Sequence, residues 1–545
     1  MTLPTHEIAA SPGRGGGTIA LRPAHTEVEL KLLGDCADLA RLINSPLVGA
    51  HAKNHGRVRH LTAIYYDTET RGLERAGVTF RIRKVGRRLV ATVKRAGASG
   101  GSPAARDEWE TEVATMAPDP DPLLPLLPAD LQALLGAAPL QPVFTTTVRR
   151  ATRRLNLAEA ELEMAFDQGR IEAGGRSVPI SELELELKRG SVAVLFEFAR
   201  ELAETAPLRL SLQSKAERGF ALAHDHPPPP SRAAPAGLEA GGSLDDALAA
   251  ILRAIFGHLL ANQEAAEDGR DPEGVHQVRV ALRRLRAGLA LAGRVAPSPA
   301  LDSLRADARW LASALGPARN WDLFTLELLP AIGRALPMLP GFAELAAAAA
   351  DRRAAGLATA RDALTAPRAG AFEMALGAWI ERRGWRTEAP APALEALAAP
   401  ALGFAAPLLQ RRYGAVLKRG RHFAHLSPEA RHSLRLAVKK LRYGVDFFLP
   451  LGVATKSSRR FARRLGKLQE LLGTFNDMTT TPERTAEFAV RTLSPSAGEA
   501  LGAVIGWQVR GLVHLETELR AAWRAFRRAE PPWSDWPEHP DIRSP

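Results

Sequence analysis

The 545-residue chain is 46% apolar and 24% charged, a balance that excludes a mainly disordered or collagen-like polypeptide. Its single cysteine, Cys36, excludes a disulfide framework or a cysteine metal cluster and points to a reducing, cytoplasmic setting. The net charge of +12 is unevenly placed: residues 1–225 hold 29 Lys+Arg against 28 Asp+Glu, and residues 226–545 hold 43 against 32.

Residues 1–24, with the run SPGRGGG and no basic-then-apolar leader pattern, read as a loose tail. From residue 25 to 225 the hydrophobic period is two. Segments around Glu27, Tyr65, Arg81, Lys94, Glu110, Thr146, Glu163 and Glu186 predict eight strands, mostly joined by short glycine-containing turns. Helical inserts are expected at 35–44, 130–135 and 192–204. This strand density favours a closed antiparallel barrel, and so an α+β N-terminal domain. Residues 226–242, HPPPPSRAAPAGLEAGG, read as a linker, so the sheet half is expected to fold alone. Residues 243–530 change to a period of 3.6 and predict an all-α domain; residues 531–545 read as a second tail. No uncharged apolar run of about 18 residues occurs, so no membrane partner is expected.

The helical half contains a repeat. HQVRVALRRLR begins at His276 and HSLRLAVKKLR at His432, each with basic residues at +3, +7, +8 and +10. LGPARNWD follows the first copy and LGTFND the second, so two repeated helical bundles are expected. On a helix, His276, Arg279, Arg283 and Arg286 share an arc of roughly 80°, as do His432, Arg435, Lys439 and Arg442. Residues 411–467 add 16 Lys+Arg against only Glu429 and Asp446. One such stripe fits a solvated face. Two stripes without acidic partners suggest an anion surface.

In the sheet half, alternation puts Glu27, Glu29 and Lys31 on one face. Arg81 and Arg83 share another, as do Arg106, Glu108 and Glu110, and as do Glu182, Glu184, Glu186 and Lys188. A half-buried sheet with a solvated outer face would also alternate. If the sheet closes with its charges inward, the lining suits a polyanion carrying a divalent metal. Carboxylates are hard oxygen ligands, and Arg and Lys pair with phosphate oxygens.

Glu27-Val-Glu29-Leu-Lys31 resembles the ExExK signature of the CYTH superfamily, the triphosphate tunnel metalloenzymes. The later landmarks follow in that family's order: Tyr65-Tyr66-Asp67-Thr68, Arg81-x-Arg83, Lys94, Arg106-x-Glu108-x-Glu110, Arg150, Asp167, Glu184-x-Glu186 and Ser214-Lys215-Ala-Glu-Arg218. The resemblance implies an eight-stranded tunnel that binds triphosphate with Mg²⁺ or Mn²⁺. It assigns Glu27, Glu29, Asp167, Glu184 and Glu186 to metal or the attacking water. Lys31, Arg81, Arg83, Lys94, Arg106, Arg150 and Lys215 would grip phosphates, with Glu108 and Glu110 orienting them; Glu27, Glu29, Lys31, Glu108, Glu110 and Asp167 form the catalytic set. Thr152 stands where the family commonly has a second basic residue, and Arg154 has the parity to substitute. The helical half resembles the CHAD domain, on HxxRxxxRRLR and its second copy. That resemblance implies binding of inorganic polyphosphate by His276, Arg279, Arg283, Arg286, His432, Arg435, Lys439 and Arg442, and association with polyphosphate granules.

The expected function is therefore hydrolysis of inorganic triphosphate, with polyphosphate held by the helices. The alternatives are a non-catalytic polyphosphate-binding or granule-targeting protein, or an enzyme resembling class IV adenylate cyclases or thiamine triphosphatases. Nucleic acid is not expected as the specific ligand, because only Tyr413, Phe423 and Tyr443 accompany the basic stripe.

Overall fold

The computed structural model describes residues 28–96, 106–239, 241–452, 455–479 and 493–536. Glu27 and most of both proposed tails lie outside them, as does the side chain of Arg106. The strands are β1 (Val28–Leu33), β2 (Arg57–Thr68), β3 (Val78–Val85), β4 (Arg88–Ala96), β5 (Arg106–Val113), β6 (Leu140–Leu157), β7 (Ala160–Ala173), β8 (Arg176–Gly190) and β9 (Arg209–Ser211). They form one antiparallel sheet in the order β5-β4-β3-β2-β6-β7-β8-β1-β9.

Two expectations are corrected here. The sheet has nine strands rather than eight, because the three-residue β9 is too short to show a period. It is also open: among the described residues no ladder joins β5 to β9. The sheet curls instead, and the helix Lys215–His224 lies along the cavity inside it. Gly219 permits that approach, since an added Cβ would meet the Phe144 ring at 2.1 Å. The three expected helical inserts appear as Cys36–Leu42, Ala129–Leu135 and Val192–Ala203. Cys36 is half-buried against the core.

The second half is mostly helical, from Leu244–Leu260 to Pro495–Arg527. Both repeat copies start alike. Asp271 caps the helix Pro272–Val295 and Ser427 caps Pro428–Phe448, each with proline at the first turn and histidine four residues on. No helix among the described residues is long and apolar enough to cross a membrane.

The stretch between the halves is less of a tether than its prolines suggest. The Ser231 amide donates to Asn262 Oδ1 at 2.8 Å, and one apolar core runs from Phe196 and Phe198 of the sheet half into Leu248, Leu252 and Phe256 of the helical half. Burial of such faces is the main drive to association, so an isolated sheet half would expose them to water. The C-terminal tail also begins packed: Trp533 is buried and donates from Nε1 to Gln410 Oε1 at 2.9 Å.

Candidate functional site

The curled sheet encloses a cavity of about 450 Å³ lined by β1 to β8 and the helix Lys215–His224. Its charged side chains fall into three groups, each placed by strand register.

The first group is a buried knot. Register sets Arg150 opposite Asp167, Asp167 opposite Glu182, and Lys31 opposite Glu184. Arg150 donates to Asp167 from Nε at 2.7 Å and from Nη2 at 2.6 Å, and to Glu184 at 2.5 Å. Lys215 Nζ meets Asp167 at 2.7 Å, Glu184 at 2.9 Å and also Glu182. Arg218 holds the other oxygen of Glu182 at 3.2 Å. Lys215 stands in the first turn because Ser214 and Glu217 form a capping box around it. Burial alone would raise the Glu184 carboxyl, but Arg150, Lys215 and Lys31 hold it well below the usual range. Burial works against the Lys215 charge, and Glu184, Glu182 and Asp167 more than reverse that, raising its pKa. Asp167, Glu182 and Glu184 thus face Arg150, Lys215 and Arg218 in direct ion pairs, with Lys31 alongside.

The second group is a basic wall. Lys94 meets Glu108 at 2.7 Å, Arg81 approaches Glu108 at 3.6 Å, and Arg83 meets Glu110 at 3.3 Å. Thr92 Oγ1 donates to Glu110 at 2.9 Å, and Arg81 Nη1 donates to the buried Tyr65 hydroxyl at 3.3 Å. The Arg83 pKa is lowered, first by the neighbouring Arg81 charge and then by burial. Arg81 Nε and Arg83 Nε are buried without a hydrogen-bond partner among the described residues.

The third group is an acidic row. Glu29 on β1 and Glu163 on β7 both lie opposite Glu186 on β8. Glu186 meets Lys188 at 2.5 Å, and Glu163 lies 3.9 Å from the largely exposed Arg154. Glu29 has no ion pair among the described residues. Its carboxyl is pushed up by burial and by the Glu184 charge. An added divalent cation would relieve that, and an all-carboxylate donor set suits Mg²⁺ or Mn²⁺. The ligating atoms of Asp167, Glu182 and Glu184 come within 4.8 Å of one another, but Lys215, Arg150 and Arg218 already occupy them. Thr152 turns its hydroxyl to the Arg57 carbonyl, 3.3 Å away.

Sequence reasoning gave Glu163, Glu182, Arg218 and Tyr65 no site role, although Tyr65 and Arg218 stand in the family landmarks and Glu182 on a charged strand face. Glu163 shares the parity of Asp167, and Glu182 that of Glu184, so both were open to detection. Arg218 and Tyr65 take their positions from tertiary packing.

In the helical half the two stripes face one another. The Lys439 ammonium is pushed down to about 8 by burial and by Arg435 and Arg283. Arg279 is lowered to about 10 by burial, Arg283 and Arg319. His276 is lowered to about 4 by burial and by Arg319, a residue of the LGPARNWD run that the sequence did not single out. Arg279 Nε, Arg435 Nε and His276 Nδ1 are buried without a partner among the described residues. Other stripe members stand apart from this cluster. Arg286 is exposed, Arg442 is paired with Asp446 at 2.8 Å, and the exposed His432 contacts Asn476 Oδ1 through Nδ1 at 2.9 Å. Tyr413 and Phe423 are buried in the core, which removes two of the three rings available for base stacking.

A curled antiparallel sheet around a charged cavity, followed by helices that carry a repeated basic stripe, defines the class. Residues 25–220 match the CYTH domain and residues 250–486 the CHAD domain. The chain belongs to the CYTH family in its first half and the CHAD family in its second. It is 34% identical over 159 residues to an inorganic triphosphatase from Haemophilus influenzae, a match spanning 29% of this chain and 44% of that protein. The crystal structure of the CHAD domain from the plant Ricinus communis is similar at 30% identity, over 55% of this chain and 98% of that one, with a TM-score of 0.49. PptA from Streptomyces chartreusis is similar at 19% identity, over 52% of this chain and 100% of that one, with a TM-score of 0.41.

Proposed function

We propose that the CYTH cleft, within residues 25–225, hydrolyses inorganic triphosphate to diphosphate and phosphate with Mg²⁺ or Mn²⁺, and that the CHAD helices, within residues 243–530, bind inorganic polyphosphate. One observation carries the first part. The buried Nε atoms of Arg81 and Arg83 have no hydrogen-bond partner among the described residues, and they share a cavity with the carboxylate row Glu29, Glu186 and Glu163. An anion completes one side and a cation the other.

Glu29 and Glu186 would hold the cation, with Glu27 joining as the family resemblance implies; that resemblance also offers Asp167 and Glu184, whose oxygens Arg150 and Lys215 take here. When bound, the cation supplies charge neutralisation and polarises a phosphoryl oxygen. Arg81, Arg83, Lys94 and Lys31 hold the phosphates, and Arg106 joins them by resemblance. Glu108 orients Arg81 and Lys94, while Glu110 orients Arg83. Arg150 and Lys215 keep the Glu184 carboxylate ionised and aimed. Water attacks the terminal phosphorus, the bridging P–O bond breaks, and the basic wall offsets the charge of the departing diphosphate. Phosphoryl transfer asks mainly for such positioning and electrostatics. A phosphate-release screen of triphosphate, longer polyphosphate, ATP and thiamine triphosphate, with a cyclic-nucleotide assay alongside, tests the assignment. Triphosphate should be turned over fastest; preferred turnover of ATP to a cyclic nucleotide would contradict it.

For the helices, the supporting observation is a cluster in which the charges of Arg283 and Arg319 hold Arg279 down, that of Arg283 holds Arg435 down, and those of Arg435, Arg283 and Arg279 hold Lys439 down, each on top of burial. Long phosphate polymers need only such a broad cationic surface. Because Lys439 loses its proton at about 8, polyphosphate affinity should fall as pH rises from 7 to 9.5, and binding above pH 8 should take up protons. Calorimetry in buffers of different ionisation enthalpy checks this. An affinity constant across that range would remove Lys439 from the site.

A further inference from the structure

β9 lies between the two halves. On one side it pairs with β1, setting Lys31 opposite Ser211, Leu32 opposite Leu210 and Leu33 opposite Arg209. On the other it meets the helices Gln263–Asp268 and Pro367–Glu381 of the CHAD half. The approach is close: a Cβ added at Gly370 would sit 1.9 Å from the Leu208 carbonyl oxygen. Arg209 pairs with Glu267, and the buried Glu373 takes hydrogen bonds from the Gln263 side chain and the Leu210 backbone.

A series of hydrogen bonds, linked through the Gln213 backbone, crosses this junction. The Ser211 hydroxyl donates to Glu264 Oε1 at 2.5 Å. The Gln213 amide donates to Ser211 Oγ at 3.1 Å. Lys31 Nζ donates to the Gln213 carbonyl at 3.2 Å. The carboxylate settles which way the hydroxyl donates, so the hydroxyl oxygen is left to accept from Gln213. That anchors Gln213 at its N–H, and the Gln213 carbonyl that meets Lys31 lies just across the same Cα. Ser211 is buried and Lys31 is only 8% exposed, so water competes weakly for these bonds. An ammonium has three donors; one is committed to Gln213 and two remain for the cavity.

We propose that Glu264 and Ser211 are positioning residues. Through Gln213 they fix the Lys31 ammonium in the cleft, and the CHAD half is thereby a working part of the triphosphate site. Neither residue touches substrate. The proposal rests on the triphosphate reading of the cleft.

The test uses the full chain and measures triphosphate affinity in EDTA together with kcat and KM in Mg²⁺. Glu264→Ala and Ser211→Ala should each weaken triphosphate binding by about tenfold, the scale of one charge-assisted hydrogen bond. Glu264→Gln and Ser211→Thr keep an acceptor and a hydroxyl, and should stay within about twofold of wild type on the same scale. In a Lys31→Met background, Glu264→Ala should cost nothing further. Equal losses in both backgrounds would mean that Glu264 acts on the fold rather than on Lys31, and would overturn the proposal. So would unchanged affinity in the single variants. Should the wild-type chain bind no triphosphate, the cleft reading itself fails, and the relay is judged by the Lys31 Nζ resonance in ¹⁵N-lysine-labelled protein. A shift of that resonance in Ser211→Ala upholds the relay; an unmoved signal refutes it.

Discussion

Exchanging Glu27 and Glu29 together for glutamine should lower triphosphate turnover by at least about a thousandfold while the chain stays folded. Glutamine keeps the size and polarity of glutamate, so neither strand register nor packing need change. The amide is a poor ligand for a hard divalent cation. Glu29 is half-buried, has no ion-pair partner among the described residues, and is pushed up by burial and the Glu184 charge. Neutralising it relieves that penalty, so the melting temperature should hold or rise as activity disappears. Glu27 enters through its strand parity with Glu29. Turnover near the wild-type rate in a folded double variant would take the cation away from β1.

The fourfold change of Arg279, Arg283, Arg435 and Lys439 to glutamine should weaken polyphosphate binding by about a thousandfold, from about 1 kcal/mol at each screened contact if contributions add. Burial and neighbouring cations already disfavour the charges of Arg279, Arg435 and Lys439. Their removal should therefore stabilise the ligand-free protein even as binding is lost, the usual conflict at a binding site. The salt dependence of affinity should flatten, because fewer counterions are released from the polymer. None of the four lies in the cleft, so triphosphate turnover should persist. Affinity measured at several salt concentrations decides the matter, and coincident curves for wild type and variant would make the stripe an ordinary solvated face.

Most of the cleft was readable from alternation. Lys94 and Glu108 meet because adjacent strands in register present the same face, and Glu29, Lys31, Arg81 and Arg83 show their faces in the one-dimensional pattern. Closure was not readable, because alternation says which side is charged but not whether the sheet's two edges meet. β9 has three residues and no period of its own. Arg319 lies on a different helix from the stripes and joins His276 and Arg279 only through packing. The relay from Glu264 to Lys31 depends on a junction between halves that the proline-rich stretch suggested were independent. The repeat shows the opposite limit. Its spacing placed eight residues in two stripes, but local surroundings set Arg442 in an ion pair and Arg286 in solvent.

The central claim is that the CYTH cleft cleaves a terminal phosphoryl group with a divalent cation. ³¹P NMR of the full chain mixed with inorganic triphosphate, first in EDTA and then with excess Mg²⁺ or Mn²⁺, tests it directly. The expected result is intact triphosphate in EDTA, followed by diphosphate and phosphate growing in equal amounts once either cation is added. Triphosphate that persists under both cations, while the same protein binds long polyphosphate, would contradict the claim and leave the cleft a binding site without catalysis.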